Sequence, residues 1–313
     1  MEPRLDQTCF TSFDGTVLPL KTWFPASTIQ AVIIALHGYN DYSNFIRDAA
    51  PYFNDHGIAI YAYDQRGFGE TLKRGRWSGC ETMCLDLRTI ITLVRKNHPG
   101  VPLYLLGDSM GGAVVMAAQE NKAPLPCSGI ILVAPAVWSR TTMPFYQRWV
   151  LWLGARIAPW MELTGESLDI TASDNEKMLK ALGRDPLVIK KSRIDSIFGL
   201  TNLMDTAYKA APGFNEKALF LYGARDEIIP PRPMADVYRQ RLNAMPDGIQ
   251  RFLVYNNGYH MLLRDLQAEV VWQDIISWID APDRPFTSVL NDSAHEVTGE
   301  KDITAYIYPG HKE

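Results

Sequence analysis

The chain has 313 residues, 47% of them hydrophobic and 21% charged, and its 31 basic and 35 acidic side chains give a formal net charge of -4. This composition excludes a disordered, collagen-like or disulfide-stapled chain, and the length suits one large domain or two smaller ones. A slight acidic excess offers no phosphate-binding surface, so nucleic acid is not an expected partner. No stretch reaches the roughly 18 uncharged apolar residues of a membrane span.

Residues 1–6 are too polar for the apolar core of a signal peptide. Cys9, Cys80, Cys84 and Cys127 are too few and too scattered for a disulfide framework. Cys80 and Cys84 can share a helix face, but no second Cys pair or nearby His completes a metal site. The expectation is a reduced, cytoplasmic protein with no metal or cofactor.

In chain order, a hairpin is expected over 9–13 and 17–24, split by the turn residues Asp14 and Gly15. Short apolar runs follow at 31–36, 58–63, 103–106, 130–133, 218–222 and 250–255. Runs of this kind are buried on both faces of a parallel sheet. Between them, amphipathic stretches predict helices over about 45–56, 81–97, 111–121, 234–243 and 266–280. His98, Pro99 and Gly100 supply a stop signal for the second. The alternation predicts a mostly parallel central sheet with helices on both faces.

One segment breaks this rhythm. Residues 136–212 hold no convincing buried strand but an aromatic, helix-like run over 143–153, then Ile157, Trp160, Met161 and Leu163. We read it as a helical cap inserted after the sixth strand, over a core domain of residues 1–135 and 213–282. Residues 283–313 are polar and read as a tail with room for one added strand.

The chemistry centres on Gly107-Asp-Ser-Met-Gly-Gly112, a G-x-S-x-G pattern between an expected strand and a helix rich in small residues. Chance supplies roughly 0.1 such patterns in a chain of this length, so the strand–helix context carries the inference. The plain alternative is a tight turn with an incidental serine. A serine on this sharp turn is exposed at a helix N-terminus, where free amides favour a developing oxyanion. Serine is a weak nucleophile and needs a base. Of the six histidines, His56 and His98 sit at expected helix ends, His295 and His311 lie in the tail, and His37 is suited to shaping a loop. His260 follows the last expected strand and can bend back over the sheet edge. Asp226, at the carboxyl end of the 218–222 strand, is the preferred orienting carboxylate; Glu227 and Asp205 are the lesser candidates. The order Ser, Asp, His is that of the α/β-hydrolases. The second amide of an oxyanion hole, beside that of Met110, falls to Tyr39 after Gly38.

From about residue 11 to residue 280 the chain resembles the α/β-hydrolases of the monoacylglycerol lipase and lysophospholipase group. The resemblance rests on His37-Gly38, Asp64-Gln-Arg-Gly-Phe-Gly69, Gly75-Arg-Trp77, Gly107-Asp-Ser-Met-Gly-Gly112, Arg184-Asp-Pro-Leu-Val188, Gly223-Ala-Arg-Asp226 and Tyr259-His260. It implies an α/β-hydrolase fold, Ser109 as nucleophile, Asp226 and His260 as its partners, and the Tyr39 and Met110 amides as the oxyanion hole. Family members that bind glycerol tend to carry a glutamate and an arginine after the His-Gly pair; here those positions hold Asp41 and Phe45. Asp108 stands before the serine, where the lipases commonly have His.

Asp41 and Phe45, with Phe145, Trp149 and Trp152 of the aromatic run, are the candidate substrate contacts. An apolar cap would select acyl length, because each buried methylene contributes roughly 0.8 kcal/mol. Most of the aromatics must pack the cap onto the core, with some left for a tunnel or a transient membrane contact. Arg140, Arg148 and Arg156 flank the run and read first as a solvated charged face. The expected activity is hydrolysis of a small lipid-like ester, monoacylglycerol or lysophospholipid, through an acyl-enzyme. Short-chain ester hydrolysis and acyl transfer use the same triad; a binding protein without catalysis would have little need of one. An aminopeptidase would need an anchor for a free amino terminus, which the sequence does not identify.

Overall fold

The computed structural model describes residues 2–120, 123–164, 170–244 and 249–307. Its strands in chain order are β1 (Arg4–Leu5), β2 (Cys9–Thr11), β3 (Val17–Trp23), β4 (Ala31–Leu36), β5 (Ile58–Tyr63), β6 (Leu103–Asp108), β7 (Gly129–Val133), β8 (Glu162–Thr164), β9 (Lys191–Arg193), β10 (Ala218–Gly223), β11 (Gln250–Tyr255) and β12 (Ala294–Glu296). Ten form one sheet in the order β1-β2-β3-β5-β4-β6-β7-β10-β11-β12. The six from β5 to β11 run parallel, and antiparallel strands close both ends.

The side-chain period of two divides each central strand between two apolar layers. Val32, Ile34 and Leu36 face one layer, while Ala31, Ile33 and Ala35 face the other. The first is completed by helices α2 (Cys80–Asn97), α3 (Met110–Ala117), α6 (Ile194–Ala210) and α7 (Pro231–Ala244), the second by α1 (Ala50–Asp55) and α8 (Ala268–Asp280). The remaining long helices, α4 (Phe145–Ile157) and α5 (Glu176–Arg184), lie in the segment between β7 and β10.

The expected elements are present with shifted limits. The single helix expected over 45–56 is instead a 3₁₀ turn at Ser43–Ile46 followed by α1, because Pro51 lacks an N–H and fits only the first turn of a helix. The helix expected to 121 ends at Ala117, and Asn121 lies outside the described residues. The inserted segment follows the strand expected over 130–133, sixth in the sequence reading and β7 here because β1 adds one strand before the expected hairpin. It also contains an antiparallel ladder, β8 with β9, too short and too exposed to register as apolar alternation.

Residues 283–307 do not trail in solvent. β12 pairs with β11 at the sheet edge, Arg251 holds Glu296 at 2.6 Å, and Phe286, Ile303 and Ile307 are buried in the two layers. Residues 308–313, including His311, lie outside the described residues.

Candidate active site

The turn from β6 into α3 places Ser109 at φ 49°, ψ -111°, a region that L-residues seldom occupy without compensation. Its backbone is held on both sides, the amide donating to the Val133 carbonyl at 2.9 Å and its carbonyl accepting from the Ala136 amide at 2.9 Å. The glycines are required by contact. A Cβ on Gly107 would stand 2.6 Å from the Gly112 backbone, and one on Gly111 would stand 2.3 Å from the Leu36 carbonyl oxygen. β6, α3 and β4 therefore meet at distances that only glycine allows.

His260 and Asp226, far from Ser109 in sequence, converge on it. His260 Nε2 lies 2.9 Å from Ser109 Oγ, and His260 Nδ1 lies 2.8 Å from Asp226 Oδ2. An ionised carboxylate only accepts, so Nδ1 carries the proton and Nε2 is left to accept from the serine hydroxyl. Asp226 is fixed in turn by the Ile228 and Ile229 amides, which donate to its Oδ1 at 2.8 and 2.9 Å. Burial works against a charged imidazole, but the Asp226 carboxylate, by charge and by hydrogen bond, carries the His260 pKa above its ordinary value. Glu227 points elsewhere, accepting from the Thr171 amide at 2.6 Å, and Asp205 is engaged with Ser139 and Arg140. His56, His98 and His295 are occupied by Tyr52, Tyr61 and Tyr306.

The loop after β4 lies against the nucleophile: a Cβ on Gly38 would stand 3.4 Å from Ser109 Cβ. His37 fixes this loop from below. Its Nδ1–H donates to the Gly38 carbonyl at 2.7 Å while Nε2 accepts from the Gln65 amide at 2.9 Å. Burial holds this imidazole neutral, with a lowered pKa, so it is a brace. Among the described residues, the Tyr39 and Met110 amides donate to no protein acceptor.

Two charged residues near the site were not legible as a pair. Arg264, 8% exposed, meets Asp41 Oδ2 at 2.7 Å, and Asp41 Oδ1 accepts from the Tyr42 amide at 2.9 Å. Asp108, 5% exposed, directs Oδ2 to within 3.3 Å of the Cβ position of Gly38. Burial pushes its carboxyl up to about 6, against the opposing pull of Arg264 and His260. Arg264 stands four residues after His260, a spacing with no pattern of its own; only the fold sets it opposite Asp41.

Phe45 is 2% exposed, packed in the α1–α8 layer beside the His37 ring, where its ring fills core space and offers no ligand surface. That corrects its place among the substrate contacts. Phe145, Trp149 and Trp152 are 73%, 65% and 41% exposed on α4, which buries no residue. Trp149 and Trp152, with Arg140 and Arg148, line a surface hollow of about 390 Å³. Ser109, Asp226 and His260 do not line it. Among the described residues, no three His, Cys, Asp or Glu side chains converge as a metal site, and no helix is long and apolar enough to cross a membrane.

A strand–serine–helix elbow under a parallel sheet edge, with its Asp and His arriving in that order, defines the α/β-hydrolase class. A family model described as serine aminopeptidase, S33, matches residues 27–267, well over half of the chain. The chain belongs to this family and is a serine hydrolase. Among curated proteins it is 25% identical over 275 residues to the monoacylglycerol lipase of Mycolicibacterium smegmatis, covering 86% of this chain and 95% of that one. It is 25% identical over 286 residues to human monoglyceride lipase, covering 88% and 91%. Among solved structures, a soluble variant of monoglyceride lipase from Saccharomyces cerevisiae in complex with a substrate analog superposes with TM-score 0.73 at 20% identity, covering 90% of this chain and 96% of that one. A thermostable carboxyl esterase from Bacillus coagulans in complex with glycerol gives TM-score 0.69 at 19% identity, covering 88% and 97%. These two show the same fold.

Proposed function

We propose that the chain hydrolyses carboxylic esters of lipid-like alcohols, of the monoacylglycerol or lysophospholipid kind, through an acyl-enzyme on Ser109. The observation that carries this reading is the unbroken pair of hydrogen bonds from Asp226 through His260 to Ser109. Ser109 Oγ attacks the ester carbonyl as its proton passes to His260 Nε2. The oxyanion that forms takes the Tyr39 and Met110 amides. His260 then protonates the departing alcohol, and Asp226 stabilises the imidazolium meanwhile. Water deprotonated by the same imidazole attacks the acyl carbonyl and frees Ser109 and a fatty acid.

Asp41 and Arg264 together present an acceptor and a donor beside the nucleophile. That pairing suits a hydroxylated leaving group and supplies from position 264 the arginine that Phe45 displaces. Residues 136–212 serve as the cap on a core of 1–135 and 213–282, and the exposed aromatic face of α4 makes transient contact with a membrane surface. The free thiols of Cys9 and Cys127 suit a reducing compartment, hence a cytoplasmic location with peripheral membrane contact.

The test is Ser109→Ala assayed on monoacylglycerols, lysophospholipids and short-chain p-nitrophenyl esters. Turnover is expected to fall at least about a thousandfold with the fold retained, and a fluorophosphonate is expected to label the parent but not the variant. Persistent turnover in the variant refutes the nucleophile. A preference for short acyl chains refutes the lipid substrate.

A further inference from the structure

The loop that offers the Tyr39 amide is fastened not only to the core but to the inserted segment. Tyr39 donates its hydroxyl to Ser196 Oγ at 2.9 Å, in the first turn of α6. Asn40 donates from Nδ2 to Ser192 Oγ at 2.7 Å and accepts, at its carbonyl, from the Ile189 amide at 2.9 Å. Tyr42 donates its hydroxyl to Asp185 Oδ2 at 2.7 Å. Asn40 itself sits at φ 66°, in the left-handed region that Asn tolerates better than most residues. So the side chains of Tyr39, Asn40 and Tyr42 all bond to partners between 185 and 196, while Asp41 between them is held by Arg264.

That partner stretch is itself stiff. Lys190 Nζ closes the loop before it by donating to the Leu182, Asp185 and Val188 carbonyls at 2.5, 2.7 and 3.0 Å. β9 pairs with β8, and α6 is seated on the core so closely that a Cβ on Gly199 would stand 2.2 Å from the Trp77 ring. The same insert grips the loop of the base. The Met261 amide donates to the Ala172 carbonyl at 3.1 Å, Ser173 donates to Asp265 Oδ1 at 2.5 Å, and Asn175 Nδ2 donates to the Arg264 carbonyl at 2.9 Å.

We propose that Tyr39 and Ser196 are positioning residues for the reaction. The Tyr39 hydroxyl, anchored on Ser196, fixes the direction of the Tyr39 amide, so the inner half of the insert is part of the oxyanion hole rather than a cover above it. The inference rests on the oxyanion role given to the Tyr39 amide above. A donor misdirected by a few tenths of an ångström costs little in the ground state and much in the tetrahedral state, because the charge it must meet exists only there. Acylation and deacylation both pass through such a state, so kcat falls whichever step limits it.

The experiment is a double-mutant cycle of Tyr39→Phe and Ser196→Ala on a soluble monoacylglycerol, read as kcat, KM and the inhibition constant of an alkylboronic acid, whose serine adduct is tetrahedral. Each single variant is expected to lose about 5- to 30-fold in kcat with KM within twofold, and to bind the boronic acid weaker by the same factor. The double variant is expected to lose no more than the worse single, as for two ends of one contact. A purely structural bond would lower the melting temperature and leave kcat and boronic acid affinity within twofold, which overturns the proposal; so do losses that multiply in the double variant. Fluorophosphonate labelling of Ser109 in the parent separates the two failures. Absent labelling condemns the triad reading, whereas intact labelling with unaffected variants condemns only the anchor.

Discussion

The floor of the site and the outer face of α4 invert the usual distribution of side chains in opposite ways. Around Ser109 the molecule buries charge: Asp41, Asp108, Asp226, His260 and Arg264 are all under a tenth exposed. Along α4 it exposes apolar surface, with Phe145, Trp149, Val150, Leu153 and Ile157 each at least half exposed. Buried charge costs several kcal/mol per ion unless it is paired, and clustered apolar surface is a liability unless something covers it. Each inversion carries a cost, but the energetic stakes differ. Removing a partner from the floor leaves an uncompensated charge, whereas removing a ring from α4 leaves only water where water already was.

The sharpest way to break this contrast is Arg264→Ala. It strands Asp41, whose carboxylate loses its 2.7 Å partner, and removes the cation that opposes the burial of Asp108. Breaking a buried pair in this way costs about 3–5 kcal/mol. Urea or thermal unfolding at pH 8 is expected to show a loss of that size, and Asp41→Asn added to it is expected to restore part. A change below 1 kcal/mol would mean that the pair is effectively solvated and the contrast false.

Asp108→Asn works the other way. Its carboxyl titrates near 6 in the fold, above its ordinary 3.8, chiefly because burial disfavours the charge. A carboxyl raised on folding favours the native state below pH 3.8, and that favour is lost as pH rises through 6. Asp108→Asn is therefore expected to stabilise the protein at pH 8 by about 2–3 kcal/mol and to change little at pH 4. The ionised carboxylate also helps hold the His260 pKa up. The acid limb of kcat/KM is accordingly expected to move to lower pH in the variant. A melting temperature equally shifted at both pH values would contradict the burial argument.

What the sequence made legible follows from where its signals are local. The β-branched runs gave the central strands because both faces of a parallel sheet are apolar, and the elbow showed because Gly107, Ser109 and Gly111 must be adjacent to make the turn. Ser109, Asp226 and His260 could be ordered along the chain from the strands they follow, while their meeting needed the fold. Arg264 and the anchor from Tyr39 to Ser196 left no trace, being pairs between loops whose spacing carries no period. Phe45 misled because the position aligned with a ligand-binding arginine, yet an aromatic ring there is drawn into the α1 layer. The tail misled because its few apolar residues, Phe286, Ile303 and Ile307, are spaced too widely to form a run, although each one is buried.

The smallest effect on folding is expected at Trp149. It leans edge-on to Trp152 at 5.7 Å, and Trp152 in turn lies under the Arg156 guanidinium at 3.9 Å, so the two rings form an exposed ledge with cationic flanks. With most of its surface in water, Trp149→Ala removes little buried area and is expected to shift stability by no more than about 0.5 kcal/mol. A Trp beside arginines suits the headgroup level of a bilayer, where an apolar ring and a cation are both satisfied. Co-sedimentation with vesicles containing a quarter anionic phospholipid is therefore expected to drop severalfold in the variant, and turnover of a monomeric short-chain ester to stay within twofold. If vesicle binding survives while the monomeric ester is turned over poorly, the ring belongs to the substrate path after all, and the outer face of α4 is not the separate surface that the contrast with the floor requires.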